Sequence, residues 1–171
     1  MTSELRDEAF WDGPSQEPLA PVAGTRSREE DVRRSERVET RGRARALQAL
    51  YAADLRDLAQ LRRIATTVFD DLAIDPDERA FASQLIATVA DKGEALDRGL
   101  AEVTANWRLE RLGAIERCVL RLAAAELDRD ATPVKVVLQE AVHLAERYGT
   151  ARSARFVNGV LDAYARAIGR L

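Results

Sequence analysis

The sequence has little of the chemistry on which most catalytic and metal sites depend. Cys118 is the only cysteine and His143 the only histidine among the 171 residues. An internal disulfide and a zinc site built from several cysteines and histidines are therefore excluded. The chain also lacks a glycine-rich phosphate loop and a nucleophile elbow. We expect a protein that binds rather than catalyses, with no cofactor and no metal.

Long apolar runs are absent as well. No stretch approaches the roughly 20 apolar residues that a membrane-spanning helix needs, and the N-terminus has no apolar segment of the secretory type. The composition, 46% hydrophobic and 32% charged, is that of a globular protein. These features predict a cytoplasmic protein with no membrane partner.

The net charge of −3 does not indicate nucleic-acid binding by the molecule as a whole. Nucleic-acid binding depends on local patches of positive charge, however, so the net charge of the whole chain does not exclude it. Nearly all the basic residues are arginine, which makes bidentate phosphate contacts that lysine cannot make. Genomic composition is a second explanation for this bias.

The chain divides near Thr40. Residues 1–39 contain three of the five prolines and few large apolar residues, which predicts a flexible extension. Glu29–Glu39 within it is compatible with a charged helix that has no face to bury. From Thr40 onward the apolar residues keep helical spacing, and no alternating stretch predicts a strand. We expect an all-α bundle of about seven helices over residues 40–171.

Several helix ends can be predicted from the sequence in the first half of this domain. A break between the first two helices is expected near Asp54–Asp57. Asp75 and Pro76 offer an N-cap and a proline at the first helical position, so a helix should begin there. Gly93 is expected to end that helix.

The second half offers further signals of the same kind. The helix around Cys118 is apolar over much of its circumference, which predicts a central, buried position. Thr132-Pro133 should open the next helix, and Gly149 should close it in a left-handed conformation. Ser153 is expected to cap the last helix. Gly159 costs about 1 kcal/mol in a helix interior, which points to two backbones packed closely there.

Three groups of residues are candidates for binding. Arg41, Arg43 and Arg45 precede the first apolar run, where alternate arginines suit phosphate contacts, although an ordinary solvated charge run has the same spacing. The loop Tyr148–Phe156 combines basic residues, an aromatic and a helix N-terminus. This mixture is typical of single-stranded RNA sites, but on the residues alone a short capped connection with Phe156 in the core is the favoured explanation.

The third group is acidic. Glu110, Glu116 and Glu126 lie on the central helix and its approach, and Tyr51 lies on the first helix. Carboxylates beside an aromatic can form a docking patch for a basic partner. Isolated acidic residues are otherwise surface groups that keep a protein soluble.

Four segments together resemble one family. They are Arg41–Tyr51 (RGRARALQALY), Arg111–Leu127 (RLGAIERCVLRLAAAEL), Pro133–Gly149 (PVKVVLQEAVHLAERYG) and Ser153–Asp162 (SARFVNGVLD). In this order they resemble the NusB transcription antitermination factors, from about Thr40 to the C-terminus. The resemblance implies an all-helical fold of two subdomains and a non-enzymatic role.

The resemblance also implies partners. NusB proteins bind the boxA element of nascent ribosomal RNA together with NusE, which is also a small-subunit ribosomal protein. The pair joins the RNA polymerase antitermination complex, promotes read-through of terminators and assists rRNA maturation. Some members self-associate, so a homodimer is a further expectation.

Site residues follow from the matched positions. The resemblance implies a NusE-facing set and an RNA-binding set. At the position of Arg152 the family often has an acidic residue. The NusE-facing set is Tyr51, Glu110 and Glu116, and the RNA-binding set is Arg41, Arg43, Arg45, Arg152, Ser153, Arg155 and Phe156.

Two other functions remain as alternatives. One is a ribosome-assembly or polymerase-bound adaptor that lacks RNA binding. The other is an RNA-modifying enzyme, because related helical domains occur fused to RNA methyltransferases. The chain ends at Leu171 without room for a nucleotide-cofactor domain, which argues against the enzyme.

Overall fold

The computed structural model describes residues 28–104 and 108–171. Within these ranges the chain forms helices and no strand, which confirms the all-α prediction. Single 3₁₀ turns at Leu58–Gln60 and Leu109–Arg111 precede α2 and α4. The helices are α1 (Arg28–Asp54), α2 (Leu61–Asp71), α3 (Pro76–Val103), α4 (Ala114–Arg129), α5 (Val134–Tyr148) and α6 (Ala151–Ala167).

Helix α4 lies at the centre of the fold. Every residue from Cys118 to Leu127 is buried, as the apolar circumference of this segment predicts. Helices α1, α3, α5 and α6 all pack against it. The first three helices also contact one another, and so do the last three. Side chains on α4 therefore contact residues from α1, α3, α5 and α6.

Helix α1 begins at Arg28, twelve residues before Thr40. The first 27 residues of the predicted extension lie outside the described residues, and the domain boundary at Thr40 stays a prediction. Between Arg28 and Glu39 the backbone is helical, and the side chains of Arg33, Arg34 and Arg37 are exposed.

The predicted ends of the early helices are right in two cases and wrong in one. Helix α1 ends at Asp54, and the Asp75 carboxylate accepts a hydrogen bond from the Asp77 backbone N–H at 2.9 Å. Gly93, by contrast, does not end α3, which continues to Val103. Burial of Leu96 and Leu100 stabilises this continuation by about 1.5–3 kcal/mol per side chain, which exceeds the cost of about 1 kcal/mol for a helical glycine.

Helix α5 begins after Thr132-Pro133 and ends before Gly149, as predicted, but the predicted caps of α5 and α6 are wrong. The Thr132 hydroxyl donates to Glu126 and leaves α5 without a side-chain cap. Gly149 has a φ of −111° and is therefore not left-handed. Thr150, not Ser153, caps α6, and the two side chains form a capping box in which Ser153 occupies the third helical position.

Close backbone packing occurs at a different glycine from the one predicted. A Cβ added at Gly159 would meet nothing within 4 Å. A Cβ added at Gly42 would lie 2.8 Å from Cδ1 of Phe81 and 3.2 Å from the carbonyl oxygen of Glu78. Gly42 thus lets α1 approach α3 closely and brings the arginines beside it next to α3.

Candidate functional site

Arg43 points into the protein rather than towards solvent. Its Nε donates to Glu126 Oε2 at 2.9 Å and its Nη2 to Glu126 Oε1 at 2.5 Å, a bidentate pair between α1 and α4. The guanidinium carbon lies 4.9 Å from the centre of the Phe81 ring, and the residue is 3% exposed. The expected RNA contact from Arg43 is therefore corrected to a structural role.

The acidic residues around Arg43 explain why a charged group is stable there. Glu39 lies 3.5 Å and Glu140 3.6 Å from its nitrogens, so this cluster joins α1, α4 and α5. Burial alone would lower the pKa of Arg43, but the hydrogen bond and charge of Glu126, together with the charges of Glu140 and Glu39, raise it. Glu126, expected in a docking patch, is likewise buried and unavailable to a partner.

Arg41 and Arg45 remain on the surface of α1. Their side chains are 59% and 34% exposed. Both face the buried carboxylate of Glu78 on α3, at 2.8 Å from Arg41 Nε and 3.6 Å from Arg45 Nε. Glu78 orients the two guanidinium groups and offsets part of their charge. Arg45 Nη1 also donates to Gln48 Oε1 at 3.2 Å, so Arg41 is the more accessible of the two.

The loop before α6 carries two exposed arginines. Arg152 and Arg155 lie in the first turn and a half of the helix, and Phe156 beside them is half-buried. No ion pair joins either arginine to Glu146 or to any other residue in the described part of the chain. A depression of about 360 Å³ lies here, lined by Arg111, Leu112, Gly113, Glu116, Thr150, Arg152, Ser153 and Phe156.

Both the hydroxyl and the backbone N–H of Ser153 form hydrogen bonds within the protein. Ser153 is buried, and its hydroxyl donates to Glu116 Oε1 at the start of α4. The Ser153 backbone N–H donates to Thr150 Oγ1 at 3.2 Å, so the capping box already uses this group. Only the N–H groups earlier in the turn are left for an anion. Ser153 therefore shapes the loop, and its expected RNA contact stays a prediction.

The three residues expected to face NusE lie at one end of the fold. Tyr51 is 37% exposed in the last turn of α1, Glu110 is exposed on the second 3₁₀ turn, and Glu116 is half-buried. Arg117 links α4 to the end of α1 and to the second 3₁₀ turn. Its Nε donates to Asp54 at 3.0 Å, and its Nη1 donates to the carbonyl oxygen of Leu112 at 2.9 Å.

Leu55 is a surface residue of this region that sequence reasoning missed. Its side chain is 62% exposed, one helical turn beyond Tyr51. Helical spacing alone would place Leu55 on the apolar stripe of the first helix, because spacing cannot show that packing stops at the end of α1. Tyr51 and Leu55 are thus two large apolar side chains exposed at the end of α1.

A second ionic network stabilises the same end of the fold. Asp54 pairs with Arg117 at 2.5 Å and with Arg121 at 2.8 Å, and Arg121 also pairs with Asp97 at 2.8 Å. Burial alone would raise the pKa of Asp54, but the hydrogen bonds and charges of Arg117 and Arg121 hold it below its ordinary value of 3.8.

The one cysteine is buried and the one histidine is exposed. Burial, with a smaller contribution from the charge of Asp54, raises the pKa of the Cys118 thiol to about 12, and the His143 side chain is exposed on α5. The described residues contain no group of three or more histidine, cysteine, aspartate or glutamate side chains that could hold a metal ion. None of the helices in those residues has the length and apolar character needed to cross a membrane.

Comparison with known proteins decides the family. The family model described as "NusB family" matches residues 40–166. The chain belongs to the NusB family.

Individual NusB proteins are similar over most of their length. The transcription antitermination protein NusB of Sorangium cellulosum is 42% identical over 131 residues, which cover 76% of this chain and 93% of that protein. The transcription antitermination protein NusB of Bacillus subtilis is 38% identical over 121 residues, covering 70% and 88%. Residues 28–39 precede the part matched by the family model.

Solved NusB structures share the fold. T. maritima NusB superposes with a TM-score of 0.69 at 32% identity, covering 75% of this chain and 90% of that one. A crystal structure of the antitermination factors NusB and NusE in complex with double-stranded RNA gives a TM-score of 0.71 at 29% identity, covering 77% and 98%.

Proposed function

We propose that this protein is a cytoplasmic transcription antitermination factor that binds boxA RNA of nascent ribosomal transcripts together with NusE. It acts by binding, promoting terminator read-through and rRNA maturation within the RNA polymerase antitermination complex. The observation that carries the proposal is the exposed pair Arg152 and Arg155 at the N-terminus of α6, beside Phe156 and free of ion pairs within the described chain. The solved NusB–NusE–RNA complex of the same fold supports it.

The RNA surface consists of two separate groups of residues. Arg41 and Arg45 on α1 form one, and Arg152, Arg155 and Phe156 on α6 form the other. They lie near opposite ends of α4, because α1 contacts it at Glu126 whereas the α6 loop contacts it at Glu116. Ten helical residues span about 15 Å, which a stacked strand covers in roughly four nucleotides. A short single-stranded element fits this separation better than an isolated phosphate.

The partner surface is formed by Tyr51, Leu55, Glu110 and Glu116. An exposed aromatic and an exposed leucine supply apolar area, and two carboxylates supply negative charge. This combination suits a basic protein such as a ribosomal protein, since aromatic anchors contribute affinity and complementary charge contributes orientation.

An adaptor without RNA binding is the second candidate, and one observation favours it. Arg43 is buried, and Glu78 offsets part of the charge of Arg41 and Arg45. The arginine-rich start of the domain is therefore less positive than its sequence indicates. Under this alternative the surface around Tyr51 and Glu116 would bind NusE while RNA affinity would be absent.

A transcription reaction separates the two candidates. RNA polymerase would transcribe a template with boxA upstream of a terminator, with NusE and the other elongation factors present. Adding this protein should raise read-through on the boxA template but not on one with a scrambled boxA. Equal read-through on both templates, with NusE binding retained, would favour the adaptor. An Arg152→Asp/Arg155→Asp variant should lose the effect if the loop binds RNA.

A further inference from the structure

A carboxylate lies inside the depression beside the α6 loop. Three charged side chains line this depression, those of Arg111, Arg152 and Glu116. Arg111 and Arg152 are exposed, whereas Glu116 is half-buried in the first turn of α4. The negative charge of Glu116 therefore offsets one of the two positive charges at this place.

Two neighbours fix the position of the Glu116 carboxylate. Its Oε1 accepts a hydrogen bond from the hydroxyl of Ser153, the residue that follows Arg152. Its Oε2 lies over Gly113, where an added Cβ would collide with it. The carboxylate is thus held between the start of α4 and the first turn of α6.

No arginine or lysine pairs with this carboxylate within the described residues. Glu78 and Glu126, by contrast, each pair with an arginine. The Ser153 hydroxyl is a neutral donor, so it orients the Glu116 carboxylate without cancelling its charge. A phosphate on Arg152 would lie within about one Debye length, roughly 10 Å, of that charge, because both side chains line a depression of about 360 Å³.

We propose that Glu116 couples the two binding surfaces of this protein. In the free protein its charge weakens the binding of RNA phosphate at the α6 loop, and a basic partner that pairs with the carboxylate removes this penalty. The inference rests on the proposed function and adds the means by which the protein partner regulates the RNA site. Coupling of this kind is reciprocal, so bound RNA strengthens partner binding by the same factor.

The coupling requires a residue that belongs to both surfaces. Among Tyr51, Glu110 and Glu116, only Glu116 lines the depression that contains Arg152. Glu110 lines a different cavity, next to α3. Tyr51 lines neither of these two cavities. Glu116 is therefore the member of the partner surface whose charge the RNA site meets most directly.

The test measures the affinity of the full chain for boxA RNA, with and without NusE, for wild type and Glu116→Gln. Glutamine removes the charge but keeps an oxygen that accepts the Ser153 hydrogen bond. Asp71→Asn, at the exposed end of α2, removes the same charge at a remote site and is the control. Ser153→Ala removes the hydrogen bond and leaves the charge of Glu116 in place. Circular dichroism verifies equal helix content.

We expect Glu116→Gln without NusE to bind boxA RNA about threefold more tightly than wild type, the effect of one unit charge about 7 Å away in water. NusE should then raise the RNA affinity of this variant by a factor about threefold smaller than in wild type. The gain should shrink between about 0.1 M and about 0.4 M salt, because salt screens exposed charges. Asp71→Asn should behave as wild type, and Ser153→Ala should not show the gain.

Two results would overturn the inference and leave the proposed function standing. One is wild-type binding of boxA RNA together with equal or lower RNA affinity, or an unchanged NusE effect, in Glu116→Gln. The other is an equal gain in Ser153→Ala, which would assign the effect to the loop contact rather than to the charge. If wild type binds no boxA RNA, with or without NusE, the proposed function fails as well.

Discussion

The hydroxyl of Ser153 donates a hydrogen bond to the carboxylate of Glu116, which joins the loop before α6 to the start of α4. In our proposal the two residues belong to different surfaces, since the loop carries the RNA-binding arginines and Glu116 faces NusE. A partner that draws the Glu116 carboxylate away would release Ser153. Coupling through such a contact acts equally in both directions.

We predict that Glu116→Lys weakens NusE binding and leaves intrinsic RNA affinity unchanged or slightly raised. Reversing a charge opposite a basic partner typically costs several kcal/mol, whereas a lysine near Arg152 adds to the positive field that RNA meets. Calorimetry with NusE and an RNA titration measure the two effects.

Asp71→Lys, at the exposed end of α2, is the control for the same change of charge at a remote site. Circular dichroism verifies that loss of the Ser153 contact leaves the helices intact. A folded Glu116→Lys protein with wild-type NusE affinity would remove Glu116 from the interface.

Arg152→Asp should weaken RNA binding and reduce the magnitude of the salt slope by about 0.7, the value for one phosphate contact on a single strand. Arg152 is exposed at a helix N-terminus and forms no ion pair within the described residues, so phosphate has free access to it. The measurement is a titration at several salt concentrations, with Arg63→Asp as a control. Identical slopes for wild type and Arg152→Asp would show that RNA does not reach this residue.

Arg43→Ala should destabilise the protein by about 3–5 kcal/mol, because it leaves Glu126 buried without its partner. Arg155→Ala, on the surface, should change stability by only about 0.5 kcal/mol and should weaken RNA binding instead. Urea unfolding and RNA titration of both variants make the comparison. A stable Arg43→Ala protein with reduced RNA affinity would contradict the structural role.

The Asp54 network should make stability depend on pH in acid. The pKa of Asp54 is depressed in the folded protein, so the ionised form stabilises the fold above its ordinary value of 3.8, and this contribution disappears as pH falls through the depressed pKa. Asp54→Asn should therefore be less stable than wild type by about 3 kcal/mol near neutral pH, with a difference that shrinks in acid. Urea unfolding across a pH series tests this. A difference that stays constant would assign the effect to packing.

Features encoded within a few residues were predictable from the sequence. The start of α3 follows from Asp75 and Pro76, which satisfy the helix N-terminus locally. Cys118–Leu127 could be placed at the centre because its apolar residues surround the helix. The prediction that Gly93 ends α3 was wrong because apolar packing on both sides of the glycine outweighs its local cost in a helix.

The parts of the site that depend on distant partners were harder to predict. Arg43 meets Glu126 across 83 positions of sequence, and no local pattern pairs them. One signal did exist, since Arg43 lies four and seven residues before Leu47 and Leu50, which share the buried face of α1. Arg41 and Arg45 lie away from that face. Helical spacing can thus separate alternate arginines into inner and outer ones, but it cannot identify what they contact.

The most direct test of the central claim is a fluorescence anisotropy titration of labelled single-stranded boxA RNA with the full chain, alone and with NusE, at a fixed salt concentration. A scrambled RNA of equal length and composition is the control. We predict that boxA RNA binds the protein alone more tightly than the scrambled RNA does, and that NusE raises the affinity by roughly 5- to 150-fold, the usual range for coupled sites. Absence of boxA binding both with and without NusE, or equal binding of the scrambled RNA, would contradict the account.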